Sequence, residues 1–299
     1  MKDKSKIQNP KPKICLTIAG LDPSGGAGII ADIKTFTQFG CFATCAITSI
    51  TFQNTTGVFG AVHQTAETVR GQIEPIIEDF TIAALKTGML PTREIIEETA
   101  RIVEENDLRN FVVDPVVRST SGFDLIDDEA LQSLIKNLFP LADLVTPNLP
   151  EAERITGLKI ENADDIRQAA QIMQNFGAKN VLIKGGHRPI SDFGFRISDC
   201  EDDSERGTRN SELNKKQKAI DYLFVGDNLH ILEAEFIETN ATHGTGCTLA
   251  AAITANLALG KTLIQAVERA KKFVTQAIRT APNLGRGHSP INLFNLNFK

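Results

Sequence analysis

Short, largely apolar runs alternate with helical segments along most of this 299-residue chain. Four such runs end directly at a polar or glycine-rich segment; they span residues 14–18, 111–113, 144–146 and 181–183. They lack the apolar–polar alternation of a half-exposed strand, which is typical of strands covered on both faces. Strands of this kind that alternate with helices predict an α/β fold with a central, mostly parallel sheet flanked by helices on both faces.

Polar side chains follow three of these runs. Asp114 comes directly after the run at 111–113, Asn148 and Glu151 follow the run at 144–146, and Lys184 follows the last one. A single Asp in such a place is most often a turn or helix-cap residue. Because ligands of open α/β sheets bind along the carboxyl edge of the strands, several polar strand ends at one edge favour a binding site.

Residues 241–248 read Ala-Thr-His-Gly-Thr-Gly-Cys-Thr and precede an Ala- and Leu-rich segment, 249–259, that predicts a buried helix ending at Gly260. Glycines at 244 and 246 allow a tight turn that leaves backbone N–H groups unpaired at the helix N-terminus, which favours anion binding. Cys247 would lie in the first helical turn, where a thiol pKa tends to be lowered. The alternative is a simple tight turn in which Cys247 is a small core residue.

A second glycine-rich loop, residues 19–28, joins the first apolar run to a helix. This order of strand, loop and helix is common in phosphate and nucleotide sites, but the spacing matches neither the Rossmann nor the Walker fingerprint. Asp32 lies on the following helix, where the simplest interpretation is a solvent-exposed carboxylate.

Bulk composition narrows the class of protein. A net charge of −5 argues against a general nucleic-acid partner, and no apolar run is long enough to span a membrane. Residues 1–13 are rich in Lys and Pro without the apolar core of a signal peptide, which predicts a disordered polar tail. The five cysteines form no CxxC pair, so reduced thiols and a cytoplasmic location are expected. A polar stretch near 190–218 predicts a surface insertion in one domain that covers 14–299.

Six motifs, in this order along the chain, closely resemble the hydroxymethylpyrimidine/phosphomethylpyrimidine kinase family of bacterial thiamine biosynthesis. They are Ala19-Gly20…Asp22-Pro-Ser-Gly-Gly-Ala-Gly28, Lys86-Thr-Gly-Met-Leu90, Asp114-Pro-Val116, Thr146-Pro-Asn-Leu-Pro-Glu151, Lys184-Gly-Gly-His187 and Thr242-His-Gly-Thr-Gly-Cys-Thr248. Each glycine turn alone is a weak signal, whereas the ordered set is specific. The resemblance implies a ribokinase-like fold and a homodimer.

The resemblance also implies an activity: ATP phosphorylates the alcohol of 4-amino-5-hydroxymethyl-2-methylpyrimidine and then the resulting monophosphate. The residues implied to hold the pyrimidine are Gly20, Asp32, Gln53, Met89 and Val116. Those implied for catalysis are Gly244, Thr245, Gly246, Cys247 and Lys184. Those implied to contact ATP are Asn148, Lys184 and Thr242, and those implied to organise Mg²⁺ are Asp114 and Glu151.

Cys247 stands where many sugar kinases of this fold carry Asp, which argues against a generic sugar kinase. A thiol must lose its proton before it can act as a base, so we hypothesise that Cys247 is a weak base for the alcohol step. The phosphate nucleophile of the second step is already anionic and needs no base. Loss of the thiol would then harm the first step more than the second.

Two departures from the family pattern and two competing functions remain open. Leu21 replaces the usual Ser or Thr, and Arg118 follows Asp114-Pro-Val-Val117 where a less charged residue is common. Pyridoxal kinase of the same superfamily is the alternative enzyme; Gln53 and Met89 favour the pyrimidine. A non-catalytic pyrimidine sensor would be expected to lack some of Asp114, Glu151, Lys184 and the glycine loop, all of which are present.

Overall fold

The computed structural model describes residues 11–117, 125–186, 217–294 and 296. Its strands are β1 (Ile14–Leu21), β2 (Phe42–Asn54), β3 (Gly57–His63), β4 (Ile82–Thr87), β5 (Phe111–Val113), β6 (Leu144–Val145), β7 (Asn180–Lys184), β8 (Lys218–Val225) and β9 (Asn228–Glu235). Its α-helices are α1 (Gly28–Gln38), α2 (Ala66–Asp79), α3 (Arg93–Glu105), α4 (Asp128–Ser133), α5 (Leu149–Thr156), α6 (Ala163–Asn175), α7 (Thr245–Ala258) and α8 (Leu263–Arg279). A π-helical turn, Leu134–Leu138, and a 3₁₀ turn, Phe139–Leu141, follow α4.

All nine strands form one sheet in the order β3-β2-β1-β4-β5-β6-β7-β8-β9. In this order, the six neighbouring strands β2, β1, β4, β5, β6 and β7 pair in parallel. The strands β3, β8 and β9 at the two edges pair antiparallel, so the predicted mostly parallel sheet is confirmed. The chain turns to one side of β1 for β2 and to the other side for β4. The carboxyl ends of β1 and β4 therefore flank a topological switch point, where a crevice opens in sheets of this class.

Helices cover both faces of the sheet. Helices α2 to α6 bury one set of strand side chains, including Leu16, Leu85 and Phe111, in the larger core cluster. Helices α1, α7 and α8 cover the opposite face with smaller clusters around Val112, Leu182 and Phe273. Because both faces are packed, neighbouring residues of a central strand are all buried, which explains the continuous apolar runs of the sequence.

Side-chain caps fix where several helices begin. Thr65, Thr92 and Thr262 each accept a hydrogen bond from a backbone N–H in the first turn of α2, α3 and α8. Such caps satisfy N–H groups that have no partner inside the helix. The N-termini of these helices are consequently set by local hydrogen bonds.

The sequence patterns missed β3, α4 and α6. Residues 187–216 lie outside the described residues, and they include most of the predicted insertion near 190–218. The last residue of that predicted insertion, Lys218, begins β8. Residues 1–10 of the predicted tail also lie outside, while the carbonyl of Lys13 accepts a sheet hydrogen bond from Phe42. A single domain over 14–299 remains a prediction. Of the described helices, none is long and apolar enough to cross a membrane.

Asp32 is not a solvent-exposed carboxylate. Its side chain is fully buried, and Oδ2 accepts hydrogen bonds from Lys86 Nζ at 2.8 Å and Thr17 Oγ1 at 2.6 Å. Burial alone would lower the pKa of Lys86, but the attraction of Asp32 outweighs it and holds that pKa above its usual value. The pair ties α1 to β1 and β4 beneath the carboxyl edge of the sheet.

We expect Lys86→Met to lower the free energy of unfolding by about 3–5 kcal/mol, because it leaves the Asp32 charge buried without a partner. Urea unfolding followed by circular dichroism measures the change. The matched control is Arg93→Met, which breaks the exposed Arg93–Glu97 pair and should cost less than about 1 kcal/mol. The double variant Asp32→Leu/Lys86→Met should recover most of the loss. Equal effects of the two single variants would contradict the prediction.

Candidate active site

A cavity of about 540 Å³ opens at the carboxyl ends of β1, β4, β5, β6 and β7. The functional residues predicted from the sequence line it, with the exception of Asp32. They are Gly20, Gln53, Met89, Asp114, Val116, Asn148, Glu151, Lys184, Thr242, Gly244, Thr245, Gly246 and Cys247. Asp32 is fully buried in its ion pair with Lys86 and does not line the cavity, and its implied contact with a pyrimidine stays a prediction.

The cavity lining includes Gly20, Gln53, Met89 and Val116. A Cβ on Gly20 would lie 3.1 Å from Met89 Sδ, so the absence of a side chain there leaves room for the thioether. Val116 has φ +43°, a conformation that β-branched residues rarely adopt and that costs about 1–3 kcal/mol. Strain of this size at the cavity wall is typical of a functional position.

Lys184 and Asp114 form an ion pair on the cavity wall, with Lys184 Nζ 2.9 Å from Asp114 Oδ1. The same oxygen accepts a hydrogen bond from Thr146 Oγ1 at 3.1 Å. Burial alone would lower the pKa of Lys184, but Asp114 and Glu151 together raise it above its usual value. Lys184 therefore presents a permanent positive charge to the cavity.

Glu151 has a structural duty besides any role in metal binding. It forms a capping box with Asn148: its Oε2 accepts from the Asn148 backbone N–H at 2.8 Å, and Asn148 Oδ1 accepts from the Glu151 backbone N–H at 2.9 Å. Its Oε1 accepts from the Val117 backbone N–H at 3.3 Å, which ties α5 to the segment after β5. Burial raises the pKa of the Glu151 carboxyl, and Lys184 opposes that rise.

The loop before α7 has the geometry expected of an anion site. Gly244 precedes the helix with φ +80°, and the helix begins at Thr245. A Cβ on Gly244 would lie 1.8 Å from the carbonyl oxygen of Gly26, so only glycine fits. Within this first turn the Thr245 backbone N–H donates to the Thr242 carbonyl at 3.4 Å, whereas Gly246 and Cys247 line the cavity at the positive end of the helix dipole, where backbone N–H groups have no partner inside the helix.

The predicted lowering of the Cys247 pKa is wrong. Burial, reinforced by Asp114, raises the pKa of this thiol to about 12, and the nearby Lys86 charge only partly opposes the rise. Besides Lys86, a hydrogen bond from the Gly28 backbone favours the thiolate, and the loss of water outweighs both. Cys247 is therefore a neutral thiol near pH 7 in the free protein.

Asp22 and His243 are two cavity residues whose roles the sequence did not reveal. His243 Nε2 lies 2.8 Å from Asp22 Oδ2, although the two residues are 221 positions apart. The Asp-Pro-Ser-Gly pattern that begins at Asp22 is a recognisable signal for a carboxylate that caps its own loop. No local pattern could have identified the histidine as its partner. Arg118 lies outside the described residues.

Comparison with known proteins places these features in a family. Residues 22–292 of this chain match the family described as "Phosphomethylpyrimidine kinase". A hydroxymethylpyrimidine/phosphomethylpyrimidine kinase of Staphylococcus aureus is 41% identical over 285 residues, 95% of this chain and 94% of that protein.

Solved structures extend the likeness to the fold. A phosphomethylpyrimidine kinase of Clostridium difficile is 39% identical with a TM-score of 0.71, covering 89% of this chain and 99% of that one. A pyridoxal kinase of Bacillus subtilis, solved as an ADP complex, is 35% identical with a TM-score of 0.79, covering 94% and 97%.

We expect Gly244→Ala to raise the dissociation constant for inorganic pyrophosphate at least about tenfold, because the new Cβ cannot coexist with the Gly26 carbonyl at φ +80°. Gly246→Ala is the matched control: its Cβ would meet only Lys184 Nζ at 3.4 Å, so affinity should change less than about threefold. Isothermal titration calorimetry measures both values, with thermal unfolding as a check on folding. Equal affinities for the two variants would contradict the steric argument.

Proposed function

Because this chain belongs to the phosphomethylpyrimidine kinase family, we propose that its cavity performs two phosphoryl transfers in thiamine biosynthesis. ATP first phosphorylates the alcohol of 4-amino-5-hydroxymethyl-2-methylpyrimidine and then the monophosphate, which gives the diphosphate. The fold is ribokinase-like, as the resemblance implied. The observation that carries the proposal is that one cavity of about 540 Å³ is lined by Gln53 and Met89, by the Gly244–Cys247 segment and by the Lys184–Asp114 pair.

We assign the pyrimidine to the part of the cavity lined by Gly20, Gln53, Met89 and Val116. The Gln53 amide offers both a donor and an acceptor, which suits the mixed donor and acceptor edge of an aminopyrimidine. Met89 and Val116 supply polarisable and apolar surface for the flat ring. Asp32 is omitted from this set because it is fully buried against Lys86.

The Gly244–Cys247 segment is assigned to the transferred phosphoryl group. Phosphoryl transfer passes through a loose transition state, so the protein mainly positions the reactants and stabilises charge on the phosphoryl oxygens. Backbone N–H groups at the start of α7 and the Lys184 ammonium can do both. Removal of one well-placed donor of this kind costs about 10²–10³ in rate. Asn148, Lys184 and Thr242 are assigned to the ATP phosphates.

Mg²⁺ is part of the proposal, and the donor set fits it. Asp114 and Glu151 are hard oxygen donors on the cavity wall beside Lys184. These two carboxylates would hold the ion, directly or through water. A bound Mg²⁺ would neutralise phosphate charge. ATP as phosphoryl donor follows from the kinase family itself, and a solved pyridoxal kinase relative holds the analogue AMP-PCP.

Pyridoxal is the second candidate substrate, because two solved pyridoxal kinases share this fold with TM-scores of 0.79. The homodimer and the cytoplasmic location implied by the sequence stay predictions.

The test is an ATP-consumption assay with Mg²⁺ on hydroxymethylpyrimidine, its monophosphate and pyridoxal, with the products identified by mass spectrometry. We expect turnover of both pyrimidines, with kcat/KM at least about tenfold above that for pyridoxal. Turnover of pyridoxal alone would move the assignment to the second candidate. Turnover of none would favour a pyrimidine sensor.

We expect Cys247→Ala to lower the rates of both steps by similar factors, because a neutral thiol contributes position and packing, not a base. Since burial raises the thiol pKa to about 12, the thiol stays protonated from about pH 6 to about pH 9. The ratio of parent to variant rate in the first step should therefore stay constant over that range. A ratio that rises with pH, or a loss confined to the first step, would restore the thiolate base. Cys45→Ala, on β2 outside the cavity lining, is the control.

A further inference from the structure

One carboxylate oxygen joins the two glycine-rich loops of the cavity. Asp22 Oδ2 accepts from the backbone N–H groups of Gly26 at 3.1 Å and Ala27 at 2.8 Å, and it lies 2.8 Å from His243 Nε2. Asp22 Oδ1 accepts from the backbone N–H and the hydroxyl of Ser24. Asp22 therefore shapes the whole loop after β1 and links it to the loop before α7.

The His243 ring packs against the loop after β1. A Cβ on Gly26 would lie only 2.4 Å from His243 Cδ2, so the ring packs directly against the backbone of that glycine. The same Cβ would lie 3.1 Å from Pro290, which lies beside the same glycine. The His243 backbone N–H donates to the Ser289 carbonyl at 3.3 Å. Both the ring and the backbone of His243 are thus held from outside its own loop.

Electrostatics strengthen this contact. Burial alone would raise the pKa of Asp22, but hydrogen bonds from His243 and Ser24, with a contribution from the nearby Gln53 amide, hold it well below its usual value. The carboxylate is therefore ionised, and hydrogen bonds to an ionised acceptor are about twice as strong as neutral ones. Gln53, one of the residues assigned to the pyrimidine, acts on the same Asp22 carboxylate that contacts His243 in the loop before α7.

His243 lies at a point in the chain where its contact with Asp22 can orient the start of α7. His243 directly precedes Gly244, the left-handed residue before α7, so a rotation of the histidine backbone would turn the N–H groups of residues 244–247. Hydrogen-bond donors aimed at a transition state lose most of their effect when they are displaced by about 1 Å. The orientation of the ring therefore sets the orientation of the anion loop.

We propose that the Asp22–His243 hydrogen bond positions the backbone N–H groups of residues 244–247 for phosphoryl transfer. His243 is then a positioning residue that contacts neither the ring nor the phosphoryl group. This inference rests on the proposed function for its kinetic consequence, whereas the link between the two loops holds for any ligand.

The test compares His243→Leu, which removes the donor, with His243→Gln, whose side-chain amide can still donate to Asp22. For His243→Leu we expect kcat to fall about 10- to 100-fold in both steps, with KM for the pyrimidine within about threefold of the parent. His243→Gln should restore kcat to within about fivefold of the parent. The control is His230→Leu on β9, outside the cavity lining, which should behave as the parent.

Two further readouts separate positioning from a general loss of folding. The stoichiometry of ATP binding by calorimetry should stay near one per chain in His243→Leu, which counts the competent molecules. Hydrogen exchange measured by mass spectrometry should speed up in both residues 22–27 and residues 242–247 for His243→Leu, and in neither for His243→Gln.

Gly26→Ala offers an independent steric test, because its Cβ displaces the ring without removing a polar group. It should lower kcat in the parent, yet cost little more in a His243→Ala background, where the ring is absent.

Unchanged kcat or unchanged exchange in His243→Leu would overturn the inference, as would failure of His243→Gln to rescue. A parent that phosphorylates neither pyrimidine would overturn the proposed function instead, and the exchange data alone would then decide the link between the loops.

Discussion

The carbonyl oxygen of Gly26 occupies the space in which a side chain on residue 244 would begin, 1.8 Å from an ideal Cβ. The close approach of Gly26 and Gly244 brings the loop after β1 against the loop before α7, two segments that are far apart in the sequence. It is possible only because residue 244 has no side chain and tolerates φ +80°. The cavity, the exposed N–H groups of α7 and the contact between His243 and Asp22 all depend on it, because each needs both loops in place.

The Lys86–Asp32 pair and the Lys184–Asp114 pair, both at the carboxyl edge of the sheet, differ in what they can do. The Lys86–Asp32 pair is closed off from solvent on both sides, so its charges fix α1, β1 and β4 but cannot reach a ligand. The Lys184–Asp114 pair lies on the cavity wall, where Lys184 keeps 13% of its side chain exposed. Because Asp114 already compensates the Lys184 charge, the pair alone brings little net positive charge to a triphosphate. That balance supports a divalent cation as part of the proposed reaction.

The fold and most of the cavity could be predicted from the sequence because parallel strands bring their carboxyl ends to one edge. Asp114, Asn148 and Lys184 needed only correct strand ends to be placed together. The errors arose where a partner is distant in the chain. Asp32 was misjudged because Lys86 lies 54 residues away, and the Cys247 pKa because burial by the assembled loops outweighs the groups that favour the thiolate. The Asp22–His243 contact joins positions 221 apart and has no local pattern at all. Short β3 carries no strong alternation, which explains why it was missed.

Selection between a pyrimidine and a pyridine ring is a question of side chains, because kinases for both substrates share this backbone. Gln53 is the proposed ring-binding residue that also acts on Asp22, since it lines the cavity and its amide helps to hold the Asp22 pKa low. A ring whose polar edge binds Gln53 without moving it away from Asp22 leaves the His243 contact intact. A ring that moves Gln53 away takes a stabilising amide from a buried carboxylate, and the cost falls on the loops that Asp22 holds together. Discrimination would then show in kcat as well as in KM, because the wrong ring disturbs the groups that stabilise the transferred phosphoryl.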